Sequence, residues 1–200
     1  MVSLISGTPS GSATVTDEGK HMSSTTTPFA GTYAADPIHS SFGFAVRYQG
    51  VSLFRGTLNE VTATLADGRL EGSAKVESIS IRTPEQFRAH VLSAEFFDAA
   101  NHPEVTFSSS SLDLREDGTA EVDGELTIKG ITRPVHAVGT WTEPAGDAFG
   151  GTRGHLKLEA VVDRTEFDMN WNLPLPSGGN ALANEVTLTV ELSLVAQQAA

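Results

Sequence analysis

The chain has 200 residues, a formal net charge of −12 at neutral pH and no cysteine. Its 13 basic residues form no run, which argues against nucleic acid and anionic membranes, because both are bound through clustered Lys and Arg. The lack of cysteine excludes disulfides, thiolate nucleophiles and cysteine-ligated metal sites.

Residues Met1 to Pro28 are rich in Ser, Thr and Gly and show no periodicity. We predict a disordered tail at residues 1–28, followed by one domain at residues 29–200. The pair His21-Met22 leaves open a natural start at Met22, with added sequence before it. A secretory signal needs a basic start and an apolar stretch of about 7–15 residues, which this segment lacks. We therefore expect a cytoplasmic protein, or an extracytoplasmic one if the native N-terminus was replaced. No run reaches the roughly 18 apolar residues of an integral membrane segment.

The first clear strand lies between Asp36 and Tyr48. Alternate residues of this segment are large and apolar, so they fall on one face of a strand; they are Phe42, Phe44, Val46 and Tyr48. Ordinary core packing explains such a face as well as a ligand does. The adjacent pair His39-Ser40 does not form a catalytic dyad, because neighbouring residues on a strand point to opposite faces.

Hairpin turns organise the next part of the chain. Asp67-Gly68 and Asp117-Gly118 each separate two alternating segments, and such dipeptides favour tight β-turns. Lys129-Gly130 precedes a further strand that ends near Trp141. The sequence predicts about eight or nine strands in all.

One segment has helical periodicity. Thr83, Pro84 and Gln86 match an N-cap, a first-turn proline and a capping-box glutamine, respectively. The predicted helix runs to about Leu92 or Phe97. From the residues alone, we expect Arg88 and His90 to hold this helix against the sheet.

The C-terminal half returns to alternation. In 121–129, 155–162 and 185–194 one face is apolar and the other polar, as in an antiparallel sheet with one solvated side. This all-β pattern with a single short helix fits a closed barrel or a sandwich, and periodicity does not distinguish them.

The histidines show no metal-ligand spacing, so no metal and no cofactor are expected. Arg164 stands beside Asp163 and Glu166 and is interpreted as part of an ion pair on the surface or rim. Trp171, in a loop, is expected to cover one end of the molecule.

Four ordered segments carry a resemblance to a known family. They run from Asp36 to Val46, from Arg88 to Phe107, from Gly124 to Val135 and from Arg164 to Val186. Together they resemble the YceI-like family, across about residues 33–195. Two positions depart from the family pattern: Tyr48 stands where His is usual, and Asp168 where Gly is usual.

The resemblance implies an antiparallel, eight-stranded, lipocalin-like barrel that binds polyisoprenoids or other long-chain amphiphiles. The expected function is binding, storage or transport of a polyisoprenoid, an isoprenoid quinone or a fatty-acid amide, without catalysis. His39, Arg88 and His90 would then orient a head group at the mouth. A homodimer is left open on other grounds, because barrel proteins with an apolar outer patch often pair. The candidate ligand-binding residues are Phe42, Phe44, Val46, Tyr48, Leu92, Phe97, Phe107, Leu126, Ile128, Trp141, Trp171, His39, Arg88 and His90.

Two alternatives stay open at this point. An isomerase or cyclase could act on an apolar substrate in the same interior, with His90, Arg88 and Tyr48 as the first candidates for acid–base chemistry. The other alternative is an interaction protein whose barrel is filled by side chains. A cavity volume distinguishes it from the carrier and from the enzyme, because both of these need an open interior.

Overall fold

A computed structural model describes residues 28–198 of the chain. The predicted tail lies outside the described residues except for Pro28 and stays a prediction. The described part is an antiparallel β structure with one α-helix and two short 3₁₀ helices, at Val76–Ser78 and Arg164–Phe167. The helix α1 spans Glu85–Leu92, and the strands are β1 (Thr32–Ala35), β2 (Ser41–Tyr48), β3 (Ser52–Leu58), β4 (Val61–Ala66), β5 (Arg69–Lys75), β6 (Glu104–Leu114), β7 (Thr119–Ile128), β8 (Ile131–Gly146), β9 (Thr152–Asp163) and β10 (Leu182–Ala196).

Eight of the described strands form a closed ring. Their order is β1, then β4 to β10 in sequence, and β1 pairs back to β10 with Tyr33 opposite Ala196. The expected eight-stranded antiparallel barrel is therefore confirmed. Closure leaves the ring without a free edge, which is how a barrel satisfies its backbone hydrogen bonds.

The long strand β10 pairs with two partners along one edge. Its last residues pair with β1, and the stretch from Leu182 to Glu191 pairs with β2. The chain bends between β1 and β2, at Asp36 to Ser40, so that the two strands follow one another along β10. The strand β3 pairs with β2 and extends the sheet beyond the ring.

The predicted hairpins are present. β4 pairs with β5 across Asp67-Gly68, β6 with β7 across Asp117-Gly118, and β7 with β8 across Lys129-Gly130. A hairpin that the sequence analysis did not predict joins β2 and β3 through Gln49-Gly50. Both of its turn residues have positive φ, 51° and 72°, like Asp67 and Gly68 at 51° and 72°. A glycine preceded by a polar residue was the missed signal.

The apolar faces point into the barrel as predicted. Leu156 and Leu158 on β9 and Leu192 and Leu194 on β10 are all buried. Because side chains alternate along a strand, the exposed Val161 on β9 faces the outside.

The helix is present but starts differently from the prediction. α1 begins after Pro84, whose carbonyl accepts the amide protons of Phe87 and Arg88. No side chain caps it, so the predicted capping box of Thr83 and Gln86 is wrong. Among the described residues, no helix is long and apolar enough to cross a membrane.

Candidate functional site

A cavity of about 440 Å³ occupies one end of the barrel. It lies where β2, β7 and β9 end and β10 begins, so that Tyr48, Ile128, Val162 and Leu182 all line it. α1 and the loop after β9 complete its wall. This volume falls within the range of small-molecule sites, roughly 300–1,000 Å³. The interior is not filled by side chains, which argues against the filled-barrel alternative.

Aromatic rings form much of one wall. Phe44 on β2 packs against Phe54 on β3 and Phe97 after α1, with ring centroids 6.0 Å and 5.9 Å apart. Phe54 in turn meets Phe87 of α1 edge to face at 5.4 Å. Gly56 on β3 makes room for Phe44, because a Cβ there would lie 2.5 Å from the ring. These contacts hold the helix against the β2–β3 hairpin.

A second aromatic group closes the wall on the other side. The Trp171 ring lies 4.7 Å from the His90 ring and 5.5 Å from the Phe96 ring, measured between centroids. The Nε2 atom of His90 is 2.7 Å from the Glu95 carboxylate. Asn172 anchors the loop of Trp171, because its side chain accepts from the amide of Leu182 at 2.9 Å and donates to the carbonyl of that residue at 2.6 Å.

A smaller cavity of about 90 Å³ lies deeper in the barrel. Phe42 and Leu188 line both cavities, so the two are neighbours along the barrel interior. The walls of the smaller one include Leu126, Val105 and Leu158.

The structure brings most of the candidate residues together. Eight of them line the larger cavity: Phe42, Phe44, Val46, Tyr48, Phe97, Ile128, Trp171 and His90. Phe107 and Leu126 line the smaller one. Whether these side chains contact a ligand stays a prediction.

Four candidates lie outside both linings. Leu92 packs against the core. His39 is exposed on the outside, with its Nδ1 atom 2.9 Å from the Asp36 carboxylate. Arg88 donates to the carboxylate of Glu77 at 2.7 Å. Trp141 packs against Phe29 near the turn between β6 and β7, at the far end of the barrel. These four therefore do not form part of either cavity wall.

Arg164 is the lining residue that the sequence analysis interpreted wrongly. It is not at the surface, since only 4% of it is exposed, and it lines the larger cavity. Its Nε donates to the carbonyl of Ala183 at 2.9 Å, and its Nη1 donates to the carbonyl of Met169. Burial lowers its pKa, an effect that the charge of Asp163 partly opposes.

Tyr48 and Asp168, the two residues at which the sequence departs from the pattern it resembles, both lie within the described residues. The hydroxyl of Tyr48 accepts a hydrogen bond from the side chain of Gln49 at 3.0 Å, and Tyr48 lies at the exposed margin of the cavity. Asp168 has φ 56°, the left-handed conformation that suits glycine and that Asp tolerates. Lys129 donates to the carbonyl of Asp168 at 2.8 Å, which fixes this loop to the β7–β8 turn.

Comparison with known proteins decides the family. The model of the YceI-like domain matches residues 33–194. The chain belongs to the YceI-like family. Its curated YceI-like relatives include a UPF0312 protein of Ectopseudomonas mendocina, 26% identical over 141 residues, which are 68% of this chain and 74% of that one. A UPF0312 protein of Pseudomonas syringae pv. tomato is 25% identical over 135 residues, 64% of this chain and 70% of the relative.

Solved structures share the YceI-like fold. BcnA of Burkholderia cenocepacia superposes with a TM-score of 0.66 at 20% identity, over 82% of this chain and 99% of BcnA. A polyisoprenoid binding domain from Saccharophagus degradans gives a TM-score of 0.64 at 14% identity, over 82% of this chain and 98% of that domain. At these identities the likeness concerns the fold.

Proposed function

We propose that this protein binds the chain of a long apolar molecule in the barrel cavity and stores or transports it. The observation that carries the proposal is the 440 Å³ cavity, whose walls are mainly aromatic and aliphatic. Burial of a chain contributes about 0.8 kcal/mol per CH₂ group, so a long chain binds well with few polar contacts. The polyisoprenoid binding domain of Saccharophagus degradans supports a polyisoprenoid as the ligand. An isoprenoid quinone or a fatty-acid amide offers the same cavity a comparable long apolar chain.

The composition of the wall favours binding over isomerase or cyclase chemistry. Among the described residues that line the larger cavity there is no Asp and no Glu. His90 lines it, but the carboxylate partner of His90 is Glu95, which lies outside the lining. Of the candidates for acid–base chemistry, Tyr48 and His90 line the cavity and Arg88 does not, and no carboxylate of the lining stands beside them as a base.

A matched pair of variants tests the proposal. Val162 lines the cavity, whereas its neighbour Val161 is 63% exposed on the outer face. We expect Val162→Trp to block the cavity and Val161→Trp to leave it open. Native mass spectrometry with geranylgeraniol should show a one-to-one complex for the wild type and for Val161→Trp, and at least about tenfold weaker binding for Val162→Trp. Equal binding by both variants would place the ligand elsewhere, and no binding by the wild type would refute the proposal.

A further inference from the structure

A single permanent cation lines the larger cavity. Of the described lining residues only Arg164 carries a fixed charge, since the wall has no Lys, Asp or Glu. The guanidinium is almost fully buried. A buried charge is stable only when it is paired or well hydrogen-bonded, because it has lost its hydration. The contacts of Arg164 therefore indicate what the cavity can accept.

Among the described residues, no carboxylate forms an ion pair with this charge, and Asp163 acts on it only at a distance. Both hydrogen bonds of the guanidinium go to neutral carbonyls, those of Ala183 and Met169. An arginine has five N–H donors, and no described residue accepts a hydrogen bond from the Nη2 atom of Arg164. Donor capacity is therefore left over on a side chain that forms part of the cavity wall.

The nearest carboxylates in the sequence are engaged elsewhere. Asp163 accepts from the amide and the hydroxyl of Thr165, at 2.8 Å and 2.6 Å. The Asp168 carboxylate pairs with Lys129 at 3.1 Å. Neither forms an ion pair with Arg164, and Glu166 is exposed. An arginine stays protonated at neutral pH even when burial lowers its pKa, so the positive charge persists inside the cavity.

We propose that the ligand of this cavity carries an anionic head group, a carboxylate or a phosphate, that pairs with Arg164 while its chain fills the apolar space. This inference rests on the proposed function and narrows its ligand class to members with an acidic head group, such as a polyisoprenoid that ends in a phosphate, and disfavours the neutral quinone and amide. An anion on Arg164 forms charge-assisted hydrogen bonds, which are stronger than those between neutral groups.

Ligands of one chain length test the inference on the wild-type protein. The probes are palmitic acid, hexadecyl phosphate, methyl palmitate and hexadecanol, titrated below their aggregation limits and above the pKa of the acid. We expect the two acidic probes to bind at least about tenfold more tightly than the ester and the alcohol. Inorganic phosphate serves as a free anion and should not displace them, because it lacks the chain.

A variant tests whether Arg164 is responsible. Arg164→Gln retains a hydrogen-bond donor for the carbonyls and removes the charge, and it should abolish the preference for the acidic probes. Arg115→Gln is the matched control, because Arg115 pairs with Asp113 and Glu121 outside the cavity lining, and it should keep the preference. If Arg164→Gln does not fold, the comparison of probes on the wild type still decides whether the cavity prefers an anionic head group.

The outcomes separate the two proposals. Equal affinity of the wild type for acid and ester would overturn the anionic head group and leave the apolar carrier function standing. A preference that persists in folded Arg164→Gln would also overturn the role of Arg164. Displacement of the acidic probes by inorganic phosphate would point to a free-anion site instead. Failure of every chain to bind would refute the carrier function itself.

Discussion

Asp36 joins segments that are far apart in the sequence. Its carboxylate accepts from Arg153 of β9 at 2.7 Å, from His39 at 2.9 Å and from the amide of Ile38 at 2.9 Å. Arg153 also donates to the hydroxyl of Ser193 on β10 at 2.7 Å. The bend between β1 and β2 is thereby fixed to the two strands beside it. The hydrogen bonds from His39 and Arg153 hold the pKa of Asp36 well below its usual range.

This lowered pKa predicts a pH-dependent contribution to stability. A carboxyl with a lower pKa in the folded than in the unfolded chain stabilises the fold above its unfolded pKa of about 3.9, and loses that effect as the pH falls below it. We expect Asp36→Asn to lower the melting temperature at neutral pH, and the difference from the wild type to shrink below about pH 4. Thermal unfolding followed by circular dichroism from neutral to acid pH measures this. Glu159→Gln, at an exposed position, is the control, and a difference that stayed constant down to about pH 3 would contradict the assignment.

Residue types alone predicted the apolar wall better than the polar group inside it. Alternation along β2 placed Phe42, Phe44 and Val46 on one face, and all three line the larger cavity. The burial of Arg164 could not be predicted from alternation, because the neighbouring Asp163 and Glu166 suggested an ion pair at the surface. Its burial depends on contacts with the carbonyls of Met169 and Ala183, and the latter is brought near by the pairing of β9 with β10.

At the scale of elements, the barrel depends on close strand contacts. β8 and β9 are long strands paired over much of their length, with a register irregularity between Thr142 and Ala145. Gly139 on β8 sits directly against β9, where a Cβ would lie 1.9 Å from the carbonyl oxygen of Lys157. Backbone atoms cannot yield as a flexible side chain can, so only glycine fits this crossing.

Gly139→Ala is therefore expected to destabilise the barrel. Overpacking of this kind costs about 1–3 kcal/mol of the free energy of unfolding. Gly146 lies on the same strand, and a Cβ added there would have no neighbouring atom within 4 Å. Gly146→Ala is therefore the matched control and should change stability by less than about 0.5 kcal/mol. Urea unfolding of both variants measures the two values. Equal effects would contradict a tight backbone contact between Gly139 and β9.

Turn chemistry predicted several elements, and capping chemistry misplaced the start of one. Asp67-Gly68 and Lys129-Gly130 were recognised by their glycines, which tolerate positive φ, and both residues of each pair adopt it. Gln49-Gly50 adopts the same conformation but was missed, although its glycine gives the same signal as Gly130. Thr83 matched a capping pattern, yet Pro84 occupies the position before the helix. Local sequence identified α1 but not the contacts of its first turn.

At the scale of the whole molecule, closure was the part that periodicity could not predict. A sandwich and a barrel bury alternate residues in the same way, and the ring closes here through three residue pairs between β1 and β10. These pairs join residues near opposite ends of the domain, and no local pattern specifies them. The family resemblance implied the barrel, and the structure adds the cavity at the end where α1 and Trp171 lie.

The two tryptophans allow a direct test of a chain bound in that cavity. Trp171 lines it, whereas Trp141 packs against Phe29 at the far end of the barrel, and the chain has no other tryptophan. The measurement is fluorescence quenching by a long-chain carboxylic acid brominated along its chain, on the wild type and on Trp171→Phe. A chain in the cavity predicts saturable, one-to-one quenching of the wild type and little quenching of Trp171→Phe, which retains Trp141. Equal quenching of both proteins, or none in the wild type, would contradict a ligand held in this cavity.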